Sequence, residues 1–378
     1  MARVTGYDAV LLVSFGGPQG PGDVLPFLRN VTRGRDIPTE RLAEVAEHYA
    51  LFGGVSPINA ANAELVGLLR AQFAQSGPDL PVYWGNRNWD PYLPDVVRQM
   101  RDDGVRRALS FVTAAYSSYS GCRQYRENLF DAADAVEGAP VIDKIRPYFD
   151  HPGFVEPFAQ STVTALAELP DTARSGARLV FTTHSIPTAQ ADASGLLAAP
   201  GGAYVAQHRA VAELVAAKVA AETGVQHGWD LVYQSRSGSP GQPWLEPDVS
   251  EHLEQLAVDG ATGAVLVPIG FVCDHMEVVY DLDVLARETA TRIGLPMARA
   301  ATPGTDPRFV AMVADLVRER VDDAAAAGDP AAATGAPGAP GAPPVRQALS
   351  PLGPWRDVCL AGCCPNPRGP RPALAGSD

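Results

Sequence analysis

Two apolar segments of this sequence stop at residues that could move protons or hold a metal. The stretch 263–283, GAVLVPIGFVCDHMEVVYDLD, is apolar through Phe271 and then presents Asp274, His275, Glu277, Asp281 and Asp283. An earlier apolar run, ARLVFTTHSIP, ends at His184, and Pro187 stops it. An imidazole titrates near neutrality. With carboxylates beside it, it can accept protons and pass them to solvent, or escort a divalent cation. Taken singly, a lone histidine is more often structural, and Glu277 fits a carboxylate complementing a helix start. The expectation of a site rests on the set.

A second group could grip a flat, anionic ligand. The segment AAYSSYSGCRQYREN carries Tyr116, Tyr119 and Tyr125, apolar rings with polar tips suited to stacking on a planar molecule. The segment NVTRGRDIP carries Arg29, Arg33 and Arg35, whose guanidinium groups can pair with carboxylates through two hydrogen bonds. The chain is acidic, with 43 Asp and Glu against 30 Lys and Arg and a net charge of −13. A local arginine cluster on such a chain points to an anionic ligand, with a surface ion-pair patch as the alternative. The loop SFGGPQGPGDV lacks G-x-G-x-x-G, is interrupted by Pro18 and Pro21, and no P-loop occurs elsewhere, so it reads as a tight turn and no nucleotide is expected. Five cysteines, Cys122, Cys273 and then Cys359, Cys363 and Cys364 in CLAGCC, do not suit a disulfide framework. The C-terminal group reads as metal ligation or as nothing.

The elements that would position these groups alternate between strand and helix. AVLLVSF, PVYWGN, ALSFVTAAY, ARLVFTTHS, DLVYQSRSG and GAVLVPIGF read as buried parallel strands, with amphipathic helices over 40–52, 60–75, 92–103, 204–222 and 249–258. The strands form two sets of three with similar spacing. The expected fold is α/β, with two similar Rossmann-like, doubly wound domains whose parallel sheets face a central cleft. Residues 1–160 form the first, which would grip the ligand, and 161–323 the second, which would handle metal and protons. Residues 324–346 are an Ala/Gly/Pro linker and 347–378 a cysteine-bearing tail; the helix over 306–321 could pack back on the first domain. Ligands bind outside the carboxyl ends of such strands, where every polar cluster above lies. Only Lys144 and Lys218 are lysines, which argues against nonspecific nucleic-acid binding. The N-terminal apolar run is too short for a signal peptide and no segment is long enough for a membrane span, so a cytoplasmic protein is expected.

Several stretches together resemble one family, the ferrochelatases: VLLVSFGGP, FLRNVTRGR, HYALFGGVSPI, VYWGNRNW, RPYFDHPGF, VFTTHSIP, QSRSG with PWLEPDV, and PIGFVCDHMEVVYDLD. They run in order through about residues 7–321, and the Arg-rich, Cys-tailed form looks most like the actinobacterial branch that acts on coproporphyrin III. The resemblance implies insertion of Fe²⁺, as substrate, into coproporphyrin III in haem synthesis. Protoporphyrin IX as substrate and a non-catalytic haem-delivery protein are the alternatives. It further implies that His184 and Glu277 handle the metal and the pyrrole protons, with Asp274 or Asp281 relaying them outward. Tyr125 would face the other side of the porphyrin, and Ser56, Arg33 and Tyr49 would contact the macrocycle or its propionates. Phe15 departs from the family pattern: related enzymes have an iron-ligating tyrosine there, a role that would pass to Tyr125. The branch also implies a [2Fe–2S] cluster on Cys359, Cys363 and Cys364, with Cys122 as candidate fourth ligand. The partners implied are coproporphyrin III, ferrous iron and, transiently, neighbouring haem-pathway enzymes, for a monomer that contacts no nucleic acid.

Overall fold

The computed structural model describes residues 6–34, 37–237, 241–326 and 346–377. Arg35 and most of the expected linker therefore lie outside the described residues. The six apolar runs form strands: β1 (Ala9–Ser14), β2 (Val82–Asn86), β3 (Arg107–Val112), β5 (Ala177–His184), β6 (Trp229–Gln234) and β7 (Gly263–Val267). Every residue of β1 and of β7 is buried, as expected of strands covered by helices on both faces. Two further strands, β4 (Val141–Lys144) and β8 (Met297–Arg299), were not expected from the sequence. They are only 4 and 3 residues long, too short to show a period, and both contain charged residues. All pairings are parallel, in the orders β2-β1-β3-β4 and β6-β5-β7-β8. The two sheets thus share one topology, and the central strands of each, β1 with β3 and β5 with β7, lead toward the predicted site.

The turn after β1 depends on glycine. Gly16 has φ +82°, and a Cβ there would sit 2.8 Å from the Cβ of Asn86. The loop therefore folds tightly into the helix Pro21–Val31, which starts with the proline that argued against a nucleotide loop.

The largest hydrophobic core spans both halves. It joins Val10, Leu12 and Phe111 of the first sheet to Phe181, Val265 and Val267 of the second, through Phe154, Phe158 and Phe309. The helix Pro307–Ala326 packs on the helices Pro152–Glu168 and Ile58–Ser76. Its Glu319 accepts both Arg146 Nε (2.8 Å) and Nη2 (3.0 Å) in a fully buried two-pronged ion pair. The tail docks beside it: Asp357 accepts from the Arg146 backbone N–H at 3.0 Å, and Trp355 meets Phe149 edge-on, with ring centroids 6.3 Å apart.

Candidate active site

His184 is the last residue of β5, the strand between β6 and β7; at His184 itself only β6 still pairs with it. After β7 the chain turns through Phe271–His275 and starts the helix Met276–Tyr280, with Glu277 in its first turn. A π-helical turn, Asp281–Ala286, follows directly. These elements bring His184 Nε2 to 3.4 Å from Glu277 Oε1, while His275 Nδ1 lies 3.8 Å from Glu277 Oε2. Gln234 donates to the Glu277 carbonyl at 2.6 Å, tying the helix start to β6.

The electrostatics divide these groups into charged and neutral. Burial opposes a charge on His184, but the Glu277 carboxylate outweighs it and lifts the imidazole to about 9. Desolvation likewise works against Glu277, although half its side-chain surface is exposed; the charge and hydrogen bond of His184 prevail and bring it down to about 2. In the protein alone the two form an imidazolium–carboxylate pair. His275 is pushed down by burial and stays neutral. Asp281 is lifted to about 6, mainly by burial, while its Oδ2 accepts the Ser235 hydroxyl. A carboxylate poised there can take and release a proton near neutral pH.

Asp274, the alternative to Asp281 in the expected relay, is engaged in an ion pair. Arg299 Nη2 donates to Asp274 Oδ2 at 2.9 Å and Thr302 Oγ1 to Asp274 Oδ1 at 3.0 Å. The same guanidinium grips Asp283 through Nε (2.7 Å) and Nη2 (2.9 Å). Both carboxylates are committed to a partly buried ion pair, leaving Asp281 beside Glu277. Arg299 sits on a strand too short to read from sequence, so nothing in the local pattern announced this clamp.

The first half supplies the opposite wall. Tyr125, in the helix Gln124–Asp134, is buried, and the Arg87 guanidinium lies 4.5 Å above its ring and 5.5 Å from the Phe15 ring. Burial raises the Tyr125 hydroxyl, Arg87 draws it back, and the charge of Glu277 adds a smaller upward push. Glu277 also reinforces the effect of burial on Tyr49. Charges on the two halves therefore sense each other. Tyr49 belongs to an apolar cluster with Val24, Phe27, Leu28 and Leu42 of the first half and Met276 of the second. At its edge His48 stacks on Tyr280, with centroids 3.9 Å apart. Ser56 is buried against Gly17, where a Cβ would meet its Oγ at 2.9 Å. Arg33 is exposed and donates to Asn30 Oδ1 at 2.6 Å. Tyr116 and Tyr119 do not join this wall: Tyr116 donates to the Ile269 carbonyl (2.9 Å) within the core, and Tyr119 donates to Glu127 at 3.3 Å. Arg87 was missed in the sequence; its place directly after a strand end, in GNRNW, was the available signal.

Cys122, Cys359, Cys363 and Cys364 form a buried cluster of their own, away from Cys273. Adjacent Cys363 and Cys364 converge, with Sγ atoms 3.9 Å apart, because Cys364 adopts φ +52° and turns the chain back on itself. Hydrogen bonding to Cys359 and burial raise the Cys122 thiol well above its usual range, while Lys144 and Arg126 pull it down. Among the described residues no group of three or more His, Cys, Asp or Glu surrounds a single metal position. A [2Fe–2S] cluster is ligated by four cysteines in all, two to each iron, and these four thiols share one buried cluster.

Two like-ordered parallel sheets, with a histidine–carboxylate pair beyond the carboxyl ends of one and Tyr125 under Arg87 in the half built on the other, define a chelatase-type α/β protein. The family profile described as Ferrochelatase matches residues 7–321. A protein of Streptomyces griseus subsp. griseus named Coproporphyrin III ferrochelatase is 57% identical over 378 residues, covering 98% of this chain and 96% of its own. One of that name from Frankia alni is 57% identical, covering 96% and 87%; a Ferrochelatase of Rhodopirellula baltica is 46% identical, covering 100% and 98%. This chain belongs to the ferrochelatase family. SirB from Bacillus subtilis, solved with Fe³⁺, superimposes with a TM-score of 0.51 at 10% identity, covering 85% of this chain and 98% of its own, and shares the fold. Among the described residues no helix is long and apolar enough to cross a membrane.

Proposed function

We propose that this protein inserts ferrous iron into coproporphyrin III, forming Fe-coproporphyrin III and releasing two protons, as a step of haem synthesis. The observation that carries the reading is the His184–Glu277 pair at 3.4 Å, opposite Tyr125, in a chain of this family. Arriving Fe²⁺ brings positive charge to the imidazolium–carboxylate pair and drives the proton from His184 through Asp281 to solvent. The freed imidazole then accepts the two pyrrole protons one after the other, and Glu277 and Asp281 hand each outward to solvent. The macrocycle lies against the apolar cluster around Phe27 and Tyr49, with Ser56 at its edge, Tyr125 facing its other side and Arg33 pairing with a propionate. Edge contacts hold the ring bent toward the metal, so binding energy lowers the insertion barrier.

Cys122, Cys359, Cys363 and Cys364 would hold a [2Fe–2S] cluster. Its contribution there is a crosslink between the tail and the body, since iron insertion transfers no electrons. The reading carries with it a cytoplasmic monomer, the division of labour between residues 1–160 and 161–323, and transient contact with neighbouring haem-pathway enzymes.

Anaerobic mixing of the purified protein with Fe²⁺ and either porphyrin tests the proposal. The expected result is metalloporphyrin absorption with kcat/KM for coproporphyrin III at least about tenfold above protoporphyrin IX, because protoporphyrin IX lacks two of the carboxylates that Arg33 and its neighbours would meet. Equal efficiency would favour the protoporphyrin alternative, and binding without turnover would favour a haem-delivery role.

A further inference from the structure

Beneath His184 lies a buried polar chain that none of the foregoing chemistry uses. Tyr204, in the helix Gly202–Thr223, donates its hydroxyl to the His184 carbonyl at 2.8 Å, and the same oxygen lies 2.9 Å from Thr183 Oγ1. His208, one helical turn on, contacts Thr183 Oγ1 through Nε2 at 2.9 Å and the Tyr204 carbonyl through Nδ1 at 2.7 Å.

We infer that Tyr204 is a positioning residue for His184, its hydroxyl fixing the strand end from which the imidazole reaches the porphyrin. The inference rests on the proposed role of His184 as proton acceptor. The ladder explains why a hydroxyl is needed. β5 pairs with β7 only as far as Phe181↔Val267, and the Thr182 carbonyl is then taken by Gly270 N–H at 3.1 Å. The His184 carbonyl points to the same side two residues later, where β7 has ended. Tyr204 takes the place of the missing strand.

Hydrogen counting fixes the direction of each bond. The Tyr204 carbonyl only accepts, so His208 Nδ1 carries its hydrogen. Burial brings His208 down to about 3, so it is neutral and its Nε2 is bare. Nε2 must therefore accept the Thr183 hydroxyl. Tyr204 then holds the one hydrogen available to both Thr183 Oγ1 and the His184 carbonyl, and its hydroxyl clasps two consecutive residues at once. The assembly is seated tightly. A Cβ on Gly270 would lie 2.2 Å from Thr183 Oγ1, and the Tyr116 ring stacks on His208 at 3.6 Å. Ser117 of the first half exchanges two hydrogen bonds with Gln207, at 2.8 and 3.0 Å. The strand end that carries His184 is thereby referenced to the opposite half.

The test uses Tyr204→Phe, Thr183→Val and a control, Tyr7→Phe. Tyr7 is equally buried and donates to Asp143 at 3.0 Å at the far end of β1. With the intact protein, Fe²⁺ and coproporphyrin III, Tyr204→Phe should lower kcat about tenfold, with KM for both substrates unchanged within about twofold, as expected when a reacting group is held slightly out of line. Tyr7→Phe should lower Tm and leave kcat alone. Thr183→Val keeps the Tyr204–His184 bond but removes both the competing acceptor and the hydroxyl that His208 Nε2 accepts, so Tm should fall while kcat stays within about twofold. A folded Tyr204→Phe protein with normal kcat overturns the inference. So does a kcat loss shared by all three variants, and if Tyr204→Phe does not fold, a kcat loss in Thr183→Val alone does the same. If His184→Ala itself turns over normally, the functional reading has failed instead.

Discussion

His184 and Glu277 stand 3.4 Å apart, yet one ends a central strand and the other opens a short helix. Neither element could make the pair alone. Their meeting depends on β5 and β7 lying side by side, so that both chains leave the sheet at the same edge. Removing the imidazole should therefore abolish chemistry without dismantling the cleft. His184→Ala is expected to lower the insertion rate by about 10²-fold or more while coproporphyrin affinity, read by quenching of porphyrin fluorescence, changes less than about threefold. Near-normal turnover would end the proposed mechanism.

The same pair sets the response to pH. His184 is raised to about 9, so its contribution to stability is complete below 6.5 and disappears as pH rises through 9. Glu277 is lowered to about 2, so its contribution is complete above 4.5 and disappears as pH falls through 2. The pair stabilises the fold most between those limits. Activity runs the other way, because His184 accepts a proton only after losing its own. kcat/KM for Fe²⁺ should rise with pH toward about 9, and Glu277→Gln, which removes the partner that holds the charge, should move that rise to lower pH. A profile unchanged by Glu277→Gln would show that a different group titrates.

Asp274 and Asp281 look alike in sequence and should behave differently. Asp274→Asn removes one arm of the Arg299 clamp, so a drop in Tm with kcat kept within about twofold is expected. Asp281→Asn removes a carboxyl poised near 6 and should slow insertion about tenfold with little change in Tm. Steady-state rates beside thermal melts decide it, and the reverse pattern would return Asp274 to the relay.

For the thiol cluster, protein purified without oxygen should be reddish-brown with about two iron and two acid-labile sulfide per chain. Cys122→Ser should remove the colour and loosen the tail, exposing it to protease, while leaving iron insertion intact. Colourless wild-type protein without sulfide would remove the cluster and leave the chelatase reading as it stands.

The parts legible in the sequence were those where a long periodic run ends at an unusual residue. His184 and Glu277 were singled out this way, and the structure brings them together; the six longer strands and the α/β alternation were read the same way. What stayed hidden depends on contacts distant in sequence. Arg299, on a strand of 3 residues, captures Asp274 and Asp283. Arg87 finds Tyr125 only when β2 and the helix Gln124–Asp134 pack together. Tyr204 looked like an ordinary residue of an Ala- and Val-rich helix, and only the early end of β7 gives its hydroxyl a task. Nothing in the sequence shows that the sulfurs of adjacent Cys363 and Cys364 meet; the positive φ of Cys364 accompanies their 3.9 Å approach.

The π-helical turn Asp281–Ala286 follows the helix that carries Glu277, whereas β5, which ends at His184, is bonded to β6 to its end and to β7 as far as Phe181. Wide π turns have poorer hydrogen bonds than the ladders of a central strand. In deuterium exchange, amides of β5 should open only when the whole molecule unfolds, while those of 281–286 open locally and far sooner. The wall bearing His184 then acts as a fixed gauge and the wall bearing Glu277 as a yielding one, so a cation of the wrong radius would be accommodated, or refused, from the carboxylate side.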